Sequence, residues 1–222
     1  REERTGTTHL VHCWYPLGHN DRMVPSSDMV RSAKGAMAVQ TYYKATQKIS
    51  AQLAGMFKAA FPQYYFKYSD AFSAGVWVKE DKGPWIGRVI VWKLQVSLHR
   101  DGLDEGPALC FPCGSYEGGE LCLPDLEAKL KYSPGDVIIF MAGALFHSVT
   151  KWKPTPMKEG SSCTPGRIGH VFFFPEKSYN TLQGKVKGWS INTNGGLLEF
   201  MKLGLTEQDL QEDVEGEAKE AM

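Results

Sequence analysis

From Arg88 to Phe174 the chain is a succession of short β-like runs, and their spacing limits its possible folds more than any other feature. Arg88 to Leu98, Ala108-Leu109-Cys110-Phe111, Gly119 to Leu123, Lys129 to Tyr132, Asp136 to Phe140, Leu145 to Thr150 and Arg167 to Phe174 all read as strands. They recur at roughly 8–12-residue intervals, the layout of an antiparallel sandwich or small barrel. Pro-Gly and Gly-Gly pairs separate them. In Ser133-Pro134-Gly135-Asp136 the proline presets φ and the glycine accepts a positive φ, so this tetrapeptide is a turn. At 222 residues the chain is long enough for one domain with a substantial core and extensions. No internal repeat interrupts the pattern.

The flanks read differently. Residues 1–69 are an N-terminal arm and helical support. The arm, to about residue 25, is irregular or partly extended; then Met29, Val30, Ala33, Met37, Tyr42, Ala45, Ile49, Leu53, Met56 and Phe57 recur at helical spacing. Ser26, Ser27 or Asp28 is available as an N-cap, and Pro62 follows the end. One long helix or two short ones would cover a face of the sheet. Ala71 to Val78 reads as a further strand. The β core is expected over 70–175, with Trp152 to Gly166 as an inserted Pro/Gly/Ser/Thr loop of a length usually reserved for function. Residues 176–222 form a polar extension that ends, from Thr206, in an acidic helix.

Lys+Arg 25 against Asp+Glu 25 leaves no formal charge, so a polyanionic partner would need a local basic patch. Five cysteines, no signal-peptide pattern from Arg1 and no apolar run approaching ~18 residues lead to the expectation of a soluble, reduced, intracellular monomer with no membrane span. Cys110-Phe111-Pro112-Cys113 has no second pair and lies in a strand-like run, so its thiols are expected to be buried rather than zinc-bound. His9, His12 and His19 match no closed zinc spacing and read as packing or surface residues.

The chemistry concentrates where the second run stops. In Val96-Ser97-Leu98-His99-Arg100-Asp101, residues at i and i+2 of an extended segment point to the same side, so His99 and Asp101 can present one nitrogen and one oxygen to a common point. A second imidazole, His147, sits inside Leu145-Phe146-His147-Ser148-Val149. Two His and one carboxylate with open positions is the facial set that suits non-haem Fe(II) oxygenases. A 2-oxo dicarboxylate bound there would have a second carboxylate inside the barrel. Burying it requires a fixed cation, and Arg167, which opens the last run, is the fork that matches it.

The order His99-x-Asp101, Glu117-Gly118-Gly119-Glu120-Leu121, Tyr132-Ser133-Pro134-Gly135-Asp136, His147, then Arg167 with Val171-Phe172-Phe173-Phe174 resembles the Fe(II)/2-oxoglutarate-dependent dioxygenases. Their core is a double-stranded β-helix, mainly β with flanking helices. His99-Arg100-Asp101 with Asp104, and Arg167-Ile168-Gly169-His170-Val171-Phe172-Phe173, look like the TET/JBP branch, particularly its fungal members, which oxidise methyl groups of pyrimidine bases. The resemblance covers about residues 70 to 175. It implies that His99, Asp101 and His147 bind Fe(II) as the catalytic set, and that Arg167 holds the far carboxylate of 2-oxoglutarate, with O2 as co-substrate. The substrate it implies is a flipped-out base in nucleic acid, DNA ahead of RNA, in the nucleus.

By position in that resemblance, Asp104 reads the pyrimidine edge and Phe173 stacks on the base; strand alternation allows only one or two of Phe172, Phe173 and Phe174 to face a cavity. Lys151, Lys153 and Lys158 are candidate phosphate contacts. The chain departs from the branch in the longer separation of His147 and Arg167, in Gly169 where a hydroxyl residue often assists the Arg, and in Pro175 where the TET enzymes keep a base-reading His. The alternative within the same class is hydroxylation of a peptide side chain or small metabolite. Outside it, the alternative is a β-barrel binding module with packing histidines.

Overall fold

A computed structural model describes residues 4–16, 22–156, 160 and 163–199. His19, Lys158 and the acidic helix expected from Thr206 lie outside them. The larger of two sheets is antiparallel, in the order β1 (Gly6–Val11), β2 (Gly87–Trp92), β9 (Gly166–Phe173), β3 (Ala108–Gly118) and β6 (Ile138–Phe140), with β8 (Trp152–Pro154) pairing the far end of β3. The smaller contains β5 (Ala128–Leu130), β4 (Leu121–Leu123) and β7 (Ser148–Val149). It is extended past β7 by residues 96–99: Val149 N donates to Val96 O at 3.1 Å, and His99 and His147 exchange backbone bonds of 3.0 and 2.9 Å. Two sheets joined this way are the double-stranded β-helix expected from the sequence, mainly β with flanking helices. A cavity of about 1460 Å³ lies between them.

Alternation decides what each strand shows to that cavity. On β2, Val89 and Val91 line it, while Arg88, Ile90 and Trp92 point to the helices; on β9, Arg167, Gly169, Val171 and Phe173 line it. Phe172 faces the other way, its ring 5.2 Å from Trp85.

The helical layer begins with α1 (Ser27–Val30) and α2 (Ala33–Ala60), where the Ser32 hydroxyl caps by accepting from Gly35 N at 3.1 Å. Tyr43, Ser50, Leu53, Ala54 and Phe57 form its buried stripe. Pro62 disfavours helical geometry at Phe61 (φ −135, ψ 64), so the chain bends there and restarts as α3 (Pro62–Gly75). The strand expected from Ala71 is thus the end of a helix. Tyr68, Ala71, Phe72 and Gly75 make one helical stripe, and a short apolar run does not by its own periodicity distinguish strand from buried helix. A Cβ at Gly75 would lie 2.6 Å from Leu182, so the small residues let α3 seat against α4 (Glu176–Leu182). α5 (Trp189–Asn192) follows. Rings of Phe57, Trp85, Tyr68 and Phe174 fill the interface, with Phe57–Trp85 and Tyr68–Phe174 centroids both 5.0 Å apart.

Two more sequence readings change. The arm is not merely irregular, because residues 6–11 are the edge strand β1 and Trp14 pairs with Val24. The stretch from Trp152 is not a plain loop, because its first three residues are β8. Among the described residues no helix is long and apolar enough to cross a membrane.

Candidate metal centre and cavity

His99 and Asp101 follow the extended segment 96–99, and His147 directly precedes β7. The backbone pairing between His99 and His147 puts the two imidazoles side by side, with centroids 4.2 Å apart. Asp101 is then fixed from the opposite side. Its N–H donates to Ala142 O at 3.0 Å, and the 141–145 turn, closed by Leu145 N to Met141 O, carries Gly143 against it. A Cβ on Gly143 would stand 3.1 Å from Asp101 O and 3.2 Å from Asp104 O, so this position has little room for a side chain.

Each imidazole uses its Nδ1 locally: His99 Nδ1 lies 2.8 Å from Ser97 O and His147 Nδ1 lies 3.1 Å from Leu145 O. A carbonyl can only accept, so Nδ1 carries the proton and each Nε2 lone pair is free. Those two Nε2 atoms face the Asp101 carboxylate, at 3.4 Å from Oδ1 and 3.7 Å from Oδ2. All three donor atoms lie within 4.8 Å of one another, and no other group of three such residues is found among the described residues. Burial, the largest influence, lowers the His147 pKa against the opposing effects of Leu145 O and Asp101, which keeps the ring in its neutral, ligating form. Two imidazole Nε2 atoms and a carboxylate on one side of a point open to a cavity fit a divalent iron ion.

Arg167 lines the same cavity, 5% exposed, with its guanidinium 5.4 and 6.0 Å from the Tyr132 and Tyr116 rings. Its Nε is buried with no hydrogen-bond partner. Its position on the cavity wall makes that donor available to a ligand, and a carboxylate is the group with matching geometry.

Asp104 lines the cavity too, beside Pro175, with which it forms a β-bridge. Burial and then the Asp101 charge push its carboxyl up to about 8, so near neutral pH it carries a proton and can donate as well as accept. Of the three consecutive phenylalanines, Phe173 is the one on the cavity wall. Its ring fits only because residue 87 is glycine: a Cβ there would meet the ring at 2.7 Å.

Arg88, on the neighbouring strand β2, is on the other face of the sheet. It pairs with Asp81, which is also 2.9 Å from His12 Nε2, and its guanidinium lies over Tyr43 and Phe172. Cys110 points at the cavity and its thiol is pushed up by burial, whereas Cys113 sits 3.3 Å from His170 on the far face, so the two cannot share a zinc ion. His9 stacks on Trp14. Lys151 and Lys153 do not line the cavity. Sequence reasoning missed Gly143, Tyr116 and Tyr132. The Tyr-Ser-Pro-Gly-Asp turn that places Tyr132 was legible, but the ring's position under Arg167 was not.

No protein-family model and no curated protein matches the chain. Among solved structures, NgTET1 in complex with 5mC DNA matches with a TM-score of 0.55 and 16% identity, over 79% of this chain and 63% of that one. The chain therefore spans less than two thirds of NgTET1. OsALKBH1 matches more loosely, with a TM-score of 0.35 and 20% identity over 77% of this chain and 80% of that one. The protein thus has the double-stranded β-helix fold that it shares with NgTET1.

Proposed function

We propose that this protein is an Fe(II)- and 2-oxoglutarate-dependent dioxygenase that oxidises a methyl group on a nucleic-acid base, acting on DNA in the nucleus. The observation that carries the reading is that two Nδ1-tethered imidazoles, one carboxylate and one buried guanidinium with an unpartnered Nε face a single cavity. His99, Asp101 and His147 would hold the iron, which when bound supplies O2 activation coupled to decarboxylation of the 2-oxo acid. Arg167 would pair with the far carboxylate of that acid, in a wall of Val91, Val171, Tyr132 and Ile138 that excludes water and strengthens the charge pair.

The nucleic-acid side of the reading has three supports. NgTET1, whose fold this chain shares, is seen with 5mC DNA. Phe173 offers a ring to a flat ligand beside Asp104, whose protonated carboxyl can donate to one atom of a base edge and accept from its neighbour. The formal neutrality of the chain also hides an asymmetry: residues 1–199 carry 23 Lys and Arg against 18 Asp and Glu, and residues 200–222 carry 2 against 7. A base must leave its stack to reach the triad, because the three ligands line the wall of a cavity that a stacked base does not enter.

The test is iron-dependent conversion of 2-oxoglutarate to succinate with oligonucleotides carrying 5-methylcytosine, N6-methyladenine or thymine, with the products read by mass spectrometry. An oxidised base from one of these is expected. Succinate formed only with peptides or small metabolites would move the substrate out of nucleic acid and leave the metal centre standing.

A further inference from the structure

Beyond the triad, Arg167 and the base-facing pair, the cavity has an unassigned wall. The row Val11–Gly87–Phe173 closes one end of the larger sheet, and Arg167 lies six residues back along β9, roughly 20 Å away. Past the row, the chain leaving β1 reaches Trp14 and Tyr15, and the chain leaving β9 reaches Pro175 and, in the first turn of α4, Lys177; all four residues line the cavity. Arg22, Glu176 and Lys177 of this wall are exposed, so the cavity opens to solvent at this end, its mouth. Trp14 is held by reciprocal backbone bonds with Val24 of 3.1 and 2.8 Å, and its ring stacks with His9 at 6.1 Å and 29°. Tyr15 is tied through its hydroxyl to Thr181 Oγ1 at 3.3 Å and carries the Lys177 ammonium 4.5 Å from its ring centroid. Arg22 is exposed on the same wall, and Glu176 is the carboxylate nearest Lys177 in sequence.

About 1460 Å³ exceeds the 300–1,000 Å³ typical of a site for one small molecule, so a 2-oxo acid and a single base leave room to spare. The spare volume is walled by half-buried aromatic rings with cations at the rim. Ring faces for bases and cations for phosphates are the pairing by which single-stranded nucleic acid is held. We infer that Trp14, Tyr15, Lys177 and Arg22 form a second subsite, which stacks the nucleotide next to the reacting one and contacts its phosphate. This rests on the nucleic-acid reading above and deepens it: the substrate is a strand, single-stranded or locally melted, and not a free nucleoside.

The experiment measures binding of a fluorescein-labelled 12-nucleotide single strand by anisotropy, in the full chain, with an unlabelled mononucleotide as competitor. Trp14→Ala is expected to weaken binding about 5- to 100-fold, the range for loss of one stacked base, and Trp14→Phe to keep most of it. Lys177→Gln and Arg22→Gln are each expected to weaken it several-fold and to make the salt dependence shallower by roughly 0.7 in log–log slope. Should Trp14→Ala fail to fold, the two exposed cation variants still decide. Unchanged affinity and salt slope in Lys177→Gln and Arg22→Gln, or a mononucleotide that competes as well as the strand, overturns the subsite. A wild-type protein that binds no strand overturns the subsite and the nucleic-acid reading together. Binding that depends on Trp14 and Lys177 with no base oxidised in the activity assay keeps the subsite and removes the oxidation reading.

Discussion

Two His/Asp clusters stand on opposite faces of the barrel wall, and they contain nearly the same groups. On the helical side, His12, Asp81 and Arg88 are 0%, 5% and 2% exposed. His12 Nε2 donates to Asp81, and its Nδ1 accepts from the backbone N–H groups of Trp77 and Val78 at 3.3 and 3.4 Å. Asp81 is further satisfied by Gly83 N and by Arg88. On the cavity side, His99 and His147 use Nδ1 against carbonyls and leave both Nε2 lone pairs aimed at the Asp101 carboxylate. The first cluster has its imidazole nitrogens and carboxylate oxygens engaged; the second converges two imidazole lone pairs and a carboxylate on one point. Residue type does not separate a structural cluster from a ligand site. The direction of the lone pairs does.

That contrast breaks most sharply under single substitutions. Asp101→Ala, or His99→Ala, should lower Fe(II) affinity by more than the roughly 10–100-fold that loss of an outer partner costs, with the thermal midpoint of the metal-free protein nearly unchanged. Calorimetric titration with Fe(II) under anaerobic conditions reads it, and an affinity equal to wild type refutes the metal centre. Asp81→Ala should do the converse. It strands Arg88 and His12 without a counter-charge and should cost about 3–5 kcal/mol in urea unfolding, so a loss below about 1 kcal/mol would show that the buried cluster is not structural.

Acid unfolding sharpens the comparison. His170, beneath the sheet on the helical side, is lowered to about 4 by burial and then by Arg88. The unfolded chain, with an ordinary His pKa near 6.5, therefore takes up the proton first, and stability falls as pH drops from about 6.5 toward 4, by up to about 3 kcal/mol. His170→Asn should flatten that stretch of the urea-midpoint profile. For Asp81, burial alone would raise the carboxyl, but Arg88 and His12 outweigh it and hold it below its ordinary value. Its stabilisation is thus present above about pH 4 and is lost only on further acidification, a limb that should survive in His170→Asn. The smallest effect is at Gly143. Gly143→Ala would press on the Asp101 and Asp104 carbonyls at 3.1 and 3.2 Å, and should weaken Fe(II) binding several-fold with a stability loss of about 1–2 kcal/mol. Wild-type metal affinity in that variant would show that the 141–145 turn does not buttress Asp101.

Much of the architecture was legible because short-range rules governed it. The strand runs after Arg88 are bounded by turns whose glycines adopt positive φ, at Gly118 (+80), Gly119 (+75) and Gly135 (+89), and such turns announce themselves in residue type. His99 and Asp101 were readable as a pair because period-two alternation is local. The failures were also local in origin. Ala71 to Val78 is apolar whether helical or extended, and only docking against Leu182 and Ile86 selected the helix. Arg88 and Arg167 are both buried arginines on neighbouring strands, and nothing in their flanking residues says which face each one takes.

The sequence by itself determined the alternation, the turns and the identity of the groups able to bind a metal, since these follow from backbone sterics and side-chain chemistry over a few residues. Only the tertiary structure decided that His99 pairs with His147 across 48 positions, that Arg167 rather than Arg88 enters the cavity, and that Tyr15 and Lys177 meet at its mouth. Sheet register is what converts sequence separation into distance, and a shift of one residue along β2 and β9 would exchange the faces that Arg88 and Arg167 take.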